Sequence, residues 1–277
     1  MVTGANSGIG LATATELARQ GAIVTITTRS PVKGDEAVHR IKQHAGADVA
    51  SVLLDLSDRT SVETCAAGLL EAMPHIDVLI NNAGAILGSR RVTSDGWELT
   101  LATNHLGPFL LTQLLMPGLE ASGEARVINV ASSGHGYAKE GFDFDDPHAH
   151  RGYRMMRSYG QSKLANILHA SELDRRYGDR GIHAFSMHPG LVSTSIGRGG
   201  DAWLADLVWR ITRRRQVTPE EGADTVVWLA TDPDPEPRGG YFEQRSEARS
   251  SRHARDADQA RRLWEWSMAE LGIEGMS

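Results

Sequence analysis

With 277 residues, 40% of them hydrophobic and 23% charged, the chain has the composition of one large soluble α/β domain and not of a disordered or fibrous protein. A formal net charge of -6 argues against nucleic-acid binding, because neutralising phosphates takes a basic surface. The single cysteine, Cys65, excludes an internal disulfide and a thiolate metal cluster, and no apolar run approaches the roughly 18 residues of a membrane span, so a soluble cytoplasmic protein is expected.

The chain opens with MVTGANSGIG, in which Thr3, Gly4, Gly8 and Gly10 take a T-G-x-x-x-G-x-G spacing that suits a tight strand-to-helix turn. Only Met1 and Val2 precede it, so the first strand is expected to be truncated, with the natural chain beginning further upstream and any N-terminal anchor out of view. Apolar segments then alternate with helical patterns to the end, the sign of repeated β-α units and a parallel sheet covered on both faces. Strands are expected at Gly21–Thr27, Asp48–Leu54, His75–Ile80, Ala125–Ala131 and Ile182–Met187. Helices are expected at Leu11–Gln20, Val32–His44, Ser57–Met73, Ser94–Leu119, Tyr159–Tyr177 and Pro219–Thr231, with Ser57 and Ser94 as N-caps. Cys65, set among Val62, Ala66 and Leu69, reads as a small buried hydrophobe. The stretch GFDFDDPHAH, Gly141–His150, reads as a solvated loop instead of a metal site, because no regular scaffold spaces its acids and histidines. In Asp201–Arg215, Trp203, Leu204, Leu207, Val208 and Ile211 form one helical stripe, read as a lid over the sheet, with attachment to a membrane surface as the alternative.

The chemistry follows from where polar and small residues interrupt this pattern. Gly4 permits the backbone bend, Gly8 lets a ligand approach closely, Gly10 lets the helix pack tightly, and the helix-start N–H groups then face an anion. Arg29 follows the second strand among Thr27, Thr28 and Ser30, with no acid beside it, where a dinucleotide fold places the adenosine ribose; this favours a 2′-phosphate and hence NADP. Asp55 and Leu56 end the third strand, where a carboxylate and backbone could meet an adenine edge. Asn81, Asn82, Ala83 and Gly84 end the fourth, where small residues leave room for a cofactor. Tyr159 and Lys163 lie one helical turn apart on one face. A neighbouring ammonium favours the phenolate and lowers the pKa of a phenol that otherwise titrates near 10, which would make the pair an acid or base.

On these residues the sequence resembles the short-chain dehydrogenase/reductase family over nearly its whole length: TGANSGIG at 3–10, DLSD at 55–58, NNAG at 81–84 and YGQSK at 159–163. NHLGPFLLT from Asn104, SKLAN from Ser162, HPG from His188, the tail ARRLWEWS and a long insert between serine and tyrosine are similar to its retinol dehydrogenase-like branch. The resemblance implies one domain over residues 1–277, a Rossmann-type doubly wound parallel sheet with helices on both faces, with a cofactor half over about 1–130 and a catalytic and substrate half over about 131–277. It implies that Tyr159 donates a proton to a carbonyl oxygen, that Lys163 holds the nicotinamide ribose and tunes Tyr159, and that Asn104 anchors a water relay to Lys163. The serine that orients the substrate oxygen falls in VINVASSGH, where the family's N-V-S-S pattern selects Ser132, with Ser133 as the alternative. Cofactor contacts are implied for Gly4, Asn6, Ser7, Gly8, Ile9, Gly10, Arg29, Asp55, Leu56, Asn82, Ala83, Gly84, Tyr159 and Lys163, and along the nicotinamide for Pro189, Gly190, Val192 and Thr194. No metal is needed. The implied activity is NADP-dependent reduction of a carbonyl, or oxidation of an alcohol, in a fairly apolar small molecule; the alternatives are a nucleotide-binding regulatory or redox-sensing protein and a membrane-surface retinoid or lipid dehydrogenase. Trp203, Trp209 and Tyr153 suit an apolar ligand or core packing equally. The resemblance leaves the oligomeric state open, since family members often form homodimers through the helices equivalent to Ser94–Leu119 and Tyr159–Tyr177 while this branch also contains monomers.

Overall fold

The computed structural model describes residues 1–190, 217–273 and 275, so Val192, Thr194 and the expected Asp201–Arg215 lid with Trp203 and Trp209 lie outside the described residues. The strands are β1 (Val2–Thr3), β2 (Thr25–Thr28), β3 (Ala50–Leu53), β4 (Val78–Asn81), β5 (Ala125–Val130), β6 (Ile182–Met187), β7 (Tyr241–Glu243) and β8 (Ser246–Glu247). They form one sheet in the order β3-β2-β1-β4-β5-β6-β7-β8, parallel except for the antiparallel β7–β8 pair. The order reverses between β1 and β4, which opens a crevice at the carboxyl ends of those strands. β1 has only two residues, yet both are buried and both pair with β2, so the turn that follows is still set at the centre of the sheet.

The helices are α1 (Gly8–Arg19), α2 (Pro31–Ala45), α3 (Arg59–Ala72), α4 (Leu99–Leu101), α5 (Gly107–Leu114), α6 (Met116–Ser122), α7 (Met155–Tyr177), α8 (Pro219–Thr231) and α9 (Ala257–Leu271). Ile9, Leu17, Ile26, Ile80, Phe185 and Val226 belong to the core under α1, α2 and α8; Val127, Phe109, Leu111, Leu164, Leu168 and Trp264 belong to the core on the opposite face. Burial on both faces explains why β5 and β6 read as nearly continuous apolar runs.

The structure corrects several boundaries. Asp58, not Ser57, caps α3, its Oδ1 accepting from the Thr60 and Ser61 amides at 2.9 and 3.3 Å, while Ser57 donates to Asp55. Glu98, not Ser94, caps α4, its carboxylate accepting from the Thr100 and Leu101 amides at 2.8 Å each. The single helix expected over Ser94–Leu119 is divided: α4 passes through a π turn (Ala102–Leu106) into α5, and the run breaks before Pro117, which has no N–H to donate back. β7, β8 and α9 were not expected.

Gly141–His150 is irregular but not fully solvated. Phe142 and His148 are buried, and Phe142 packs against Phe144 and Trp266. Its acids serve the loop itself: Asp143 accepts from the Asp145 and Asp146 amides, and Asp146 from those of His150 and Arg151. Cys65 is buried, and that burial pushes its thiol up to about 11. α9 lies against α5 and α7: Trp264 packs edge-on to Phe109 of α5 at 5.0 Å and beneath Arg176 of α7 at 4.8 Å.

Candidate active site

The glycine turn is shaped by close packing. Gly4 and Gly8 have φ of +63° and +56°, in the left-handed region that favours glycine. A Cβ on Gly4 would stand 2.8 Å from that of Ala83, and one on Gly10 would meet the Asn82 amide and stand 2.8 Å from the Gly4 carbonyl oxygen. The Thr3 hydroxyl accepts from the Asn82 and Ala83 amides at 3.0 and 3.1 Å, and Asn82 Nδ2 donates to the Thr3 carbonyl at 2.8 Å. TGANSGIG and NNAG are thereby joined into one unit. Ser7, the N-cap of α1, makes no side-chain cap hydrogen bond, so the first-turn amides beside Asn6 and Ile9 are not capped by that side chain. A glycine turn feeding an uncapped helix start fits the diphosphate of a dinucleotide.

Further along the carboxyl edge, Arg29 is exposed just past β2 and, among the described residues, makes no side-chain hydrogen bond or ion pair, while Ser30 caps α2. Asp55 Oδ1 accepts from the Ser57 amide and hydroxyl at 2.9 and 2.6 Å, which commits that oxygen to the turn. Leu56 is buried, its carbonyl packed against Gly107.

The structure brings Asn104, Ser132, Tyr159 and Lys163 together. Lys163 Nζ lies 5.9 Å from the centre of the Tyr159 ring and donates to the Val130 carbonyl at 2.8 Å. Burial lowers the Lys163 pKa to about 8. The Tyr159 phenol is raised, not lowered as the helical spacing alone suggested: burial dominates, and the Ser132 hydroxyl beside it acts in the opposite direction. Ser132 Oγ accepts from the Gly134 amide at 3.0 Å, capping a 3-10 turn (Ser133–Tyr137), whereas Ser133 is exposed. Gly134 lies beneath the phenol, where an added Cβ would come within 2.8 Å of Tyr159 Cε1.

Asn104 sits in the π turn, an irregularity often found at functional sites. Its amide accepts from Ala85 N at 2.6 Å and donates to Ala85 O and Ser162 Oγ at 2.9 Å each, and Ser162 donates to the Tyr159 carbonyl at 2.8 Å. Gly84 separates Asn104 from Lys163; an added Cβ would lie 3.4 Å from each. Pro189 and Gly190 follow β6 and line a cavity with His188, Val217 and Glu243. Tyr153 donates its hydroxyl to the Leu87 carbonyl at 2.7 Å, which ties it to the wall.

Sequence reasoning assigned no part to Thr3, Ser162 or His188, although all three stand inside the quoted motifs. His188 is buried, its Nδ1 lacks a partner among the described residues, and burial lowers its pKa. Sequence reasoning likewise assigned no part to His135, the last residue of VINVASSGH, or to Tyr241, which lies in no quoted motif; their rings meet edge-on at 5.3 Å beside Ser132.

Residues 1–144 match the family described as short chain dehydrogenase. Retinol dehydrogenase 12 of Bos taurus is 40% identical over 275 residues, spanning 99% of this chain and 86% of that protein. Among solved structures, a protein from Mycobacterium Paratuberculosis aligns with a TM-score of 0.77 at 32% identity, over 98% of this chain and 91% of its own. A variant actinorhodin polyketide ketoreductase with NADPH aligns with a TM-score of 0.67 at 27% identity, over 83% of this chain and 89% of its own.

Proposed function

This chain belongs to the short-chain dehydrogenase family and is an NAD(P)-dependent oxidoreductase of CH–OH and C=O groups; from that premise we propose that it uses NADP on a fairly apolar small molecule, with Tyr159 as the proton donor in reduction. The observation that carries this reading is the meeting of Asn104, Ser132, Tyr159 and Lys163 beyond the carboxyl ends of β4 and β5, beside the glycine turn. Support for NADP is the exposed Arg29 without a neighbouring acid, together with the NADPH of the polyketide ketoreductase. Support for an apolar substrate is the likeness to a retinol dehydrogenase.

A bound nicotinamide cofactor supplies the hydride-transfer chemistry. The α1 amides and the glycine turn would hold its diphosphate, Arg29 would hold the 2′-phosphate, and Pro189 and Gly190 would border the nicotinamide. Ser132 orients the substrate oxygen through its hydroxyl. Burial keeps the proton on Tyr159 in the resting state, and the phenol gives it up as negative charge grows on the substrate oxygen. Lys163, charged at neutral pH with a pKa near 8, then compensates the phenolate left behind.

Two variants test the reading. Tyr159→Phe is expected to bind NADPH by fluorescence titration while turnover of aldehydes and ketones falls roughly 10²- to 10⁴-fold; full activity would remove Tyr159 from the chemistry. Arg29→Ala is expected to raise KM for NADPH about tenfold, the loss of one charged contact of about 1.4 kcal/mol, and to leave KM for NADH unchanged. A wild-type preference for NADH would overturn the choice of NADP.

A further inference from the structure

His135 stands in the 3-10 turn that Ser132 caps, and it is buried. Its Nδ1 is 2.7 Å from the Ser132 carbonyl oxygen, and because a carbonyl only accepts, Nδ1 carries the hydrogen. Its Nε2 accepts from the Ser251 amide at 3.0 Å, so that nitrogen is bare. The two partners select one neutral tautomer and leave neither nitrogen unsatisfied. The Ser132 carbonyl also accepts from the His135 amide at 3.0 Å, which places two donors on one oxygen. On its flank the imidazole meets Tyr241 of β7 edge-on at 5.3 Å. Ser251 in turn accepts from the Ala254 amide through its hydroxyl at 3.2 Å, within the short helical turn (His253–Arg255) that leads into α9.

A histidine packed for bulk alone has no need of matched partners on both nitrogens. Here one nitrogen grips the peptide that carries the proposed substrate-orienting serine, and the other grips a segment more than a hundred residues away in sequence. We propose that His135 is a positioning residue for Ser132: it fixes the plane of the Ser132–Ser133 peptide, and so the direction of the Ser132 hydroxyl, against the docked C-terminal segment. This deepens the reading of Ser132 given above and rests on it. The expectation is physical, since a small misplacement of an orienting group during reaction costs rate more than it costs binding.

The test compares His135→Phe, which keeps a ring against Tyr241 without either hydrogen bond, with His135→Asn, whose side-chain amide can replace the Nδ1–H but cannot reach Ser251. NADPH oxidation with 4-nitrobenzaldehyde and with all-trans-retinal gives kcat and KM. Hydrogen exchange of the Gly134 amide, which is bonded to Ser132 Oγ, reports the serine's geometry without any substrate. His135→Phe is expected to lose kcat about tenfold or more, with KM for NADPH unchanged and faster Gly134 exchange; His135→Asn is expected to recover most of both. Wild-type kcat and wild-type Gly134 protection in His135→Phe would overturn the proposal, as would a His135→Asn protein as impaired as His135→Phe in both measurements. Should the wild-type chain turn over neither aldehyde, the reading of the reaction fails on its own, and Gly134 exchange still decides whether His135 holds Ser132.

Discussion

Between β1 and α1 the shape of the site is set by side chains that are missing: Gly4 lies against Ala83, Gly10 against Asn82, and the Thr3 hydroxyl ties the two loops together. No acid, base or imidazole stands in that turn. Along α7 the materials are reversed, for Tyr159, Lys163 and His169 are all shifted toward their neutral forms, each chiefly by burial. The two regions adjoin one crevice but should fail in different ways. A cradle made of close contacts fails sterically at any pH. A helix that takes ionisable groups out of water lowers stability wherever the free form of each group is charged.

Acid sharpens this contrast most. His169 Nδ1 faces Asn129 Nδ2 at 3.2 Å, its Nε2 has no partner among the described residues, and its ring packs on Phe109 at 4.9 Å. Burial takes its pKa from 6.5 to about 3. Below pH 6.5 the unfolded chain therefore takes up a proton that the folded chain refuses until about pH 3, so stability is intact above this window and lost as pH falls through it. The loss is on the order of 4 to 5 kcal/mol at most. His105, also lowered by burial, adds to it with the same sign. His169→Phe should flatten the decline in urea-unfolding stability between pH 7 and pH 4, since Asn129 Nδ2 keeps its bond to the Asn166 carbonyl at 3.1 Å. An unchanged slope would mean that α7 does not carry the burial penalty assigned to it.

On the alkaline side the group is Lys163, whose pKa falls from 10.5 to about 8. Between those values the unfolded chain binds the extra proton, so cofactor-free stability rises with pH across the window and the penalty is present in full below pH 8. The difference is about 3 kcal/mol. Lys163→Met should remove that rise and be the more stable protein at pH 7, because the Val130 carbonyl keeps Asn166 Nδ2 as a donor at 3.3 Å. Its turnover should be lost over the same pH range. Parallel stability curves for the two proteins would count against a buried charge at this position.

The same difference in materials decides how much could be read from the sequence. β6 and α8 were expected at the bounds they adopt, Ile182–Met187 after the Gly181 turn and Pro219–Thr231 after the Thr218–Glu221 capping box, because local signals mark their ends. β7 and β8, at three and two residues, are too short for periodicity to show, and they exist through pairing with β6 and with each other. The Tyr159 and Lys163 pair was legible from spacing and motif order, Asn104 and Ser132 only through the family resemblance. The direction of the Tyr159 shift was not, because helical spacing records which groups are neighbours and says nothing about how much water surrounds them. The role of His135, quoted only as the end of VINVASSGH, was hidden for a related reason: its partner Ser251 is distant in the chain, and only the docked C-terminal segment gives the imidazole a second bond.

The smallest expected effect belongs to the cradle, and its signature is that pH leaves it alone. In Gly4→Ala the new Cβ meets Ala83 Cβ at 2.8 Å while the backbone stays at a φ of +63°. The left-handed conformation costs about 1 to 2 kcal/mol and overpacking adds on the order of 1 kcal/mol, for a total near 2 to 3 kcal/mol. Gly21→Ala isolates the first contribution, since Gly21 has a φ of +90° with nothing within 4 Å of an added Cβ. Unfolding at pH 5, 7 and 9 should give one value for each variant, with Gly4→Ala the more destabilised at every pH and weaker in binding NADPH. Equal losses in the two variants would show that Ala83 yields to the methyl group. A Gly4→Ala penalty that grew or shrank with pH would show that the turn depends on a charge, and the division between a steric cradle and an ionisable helix would fall.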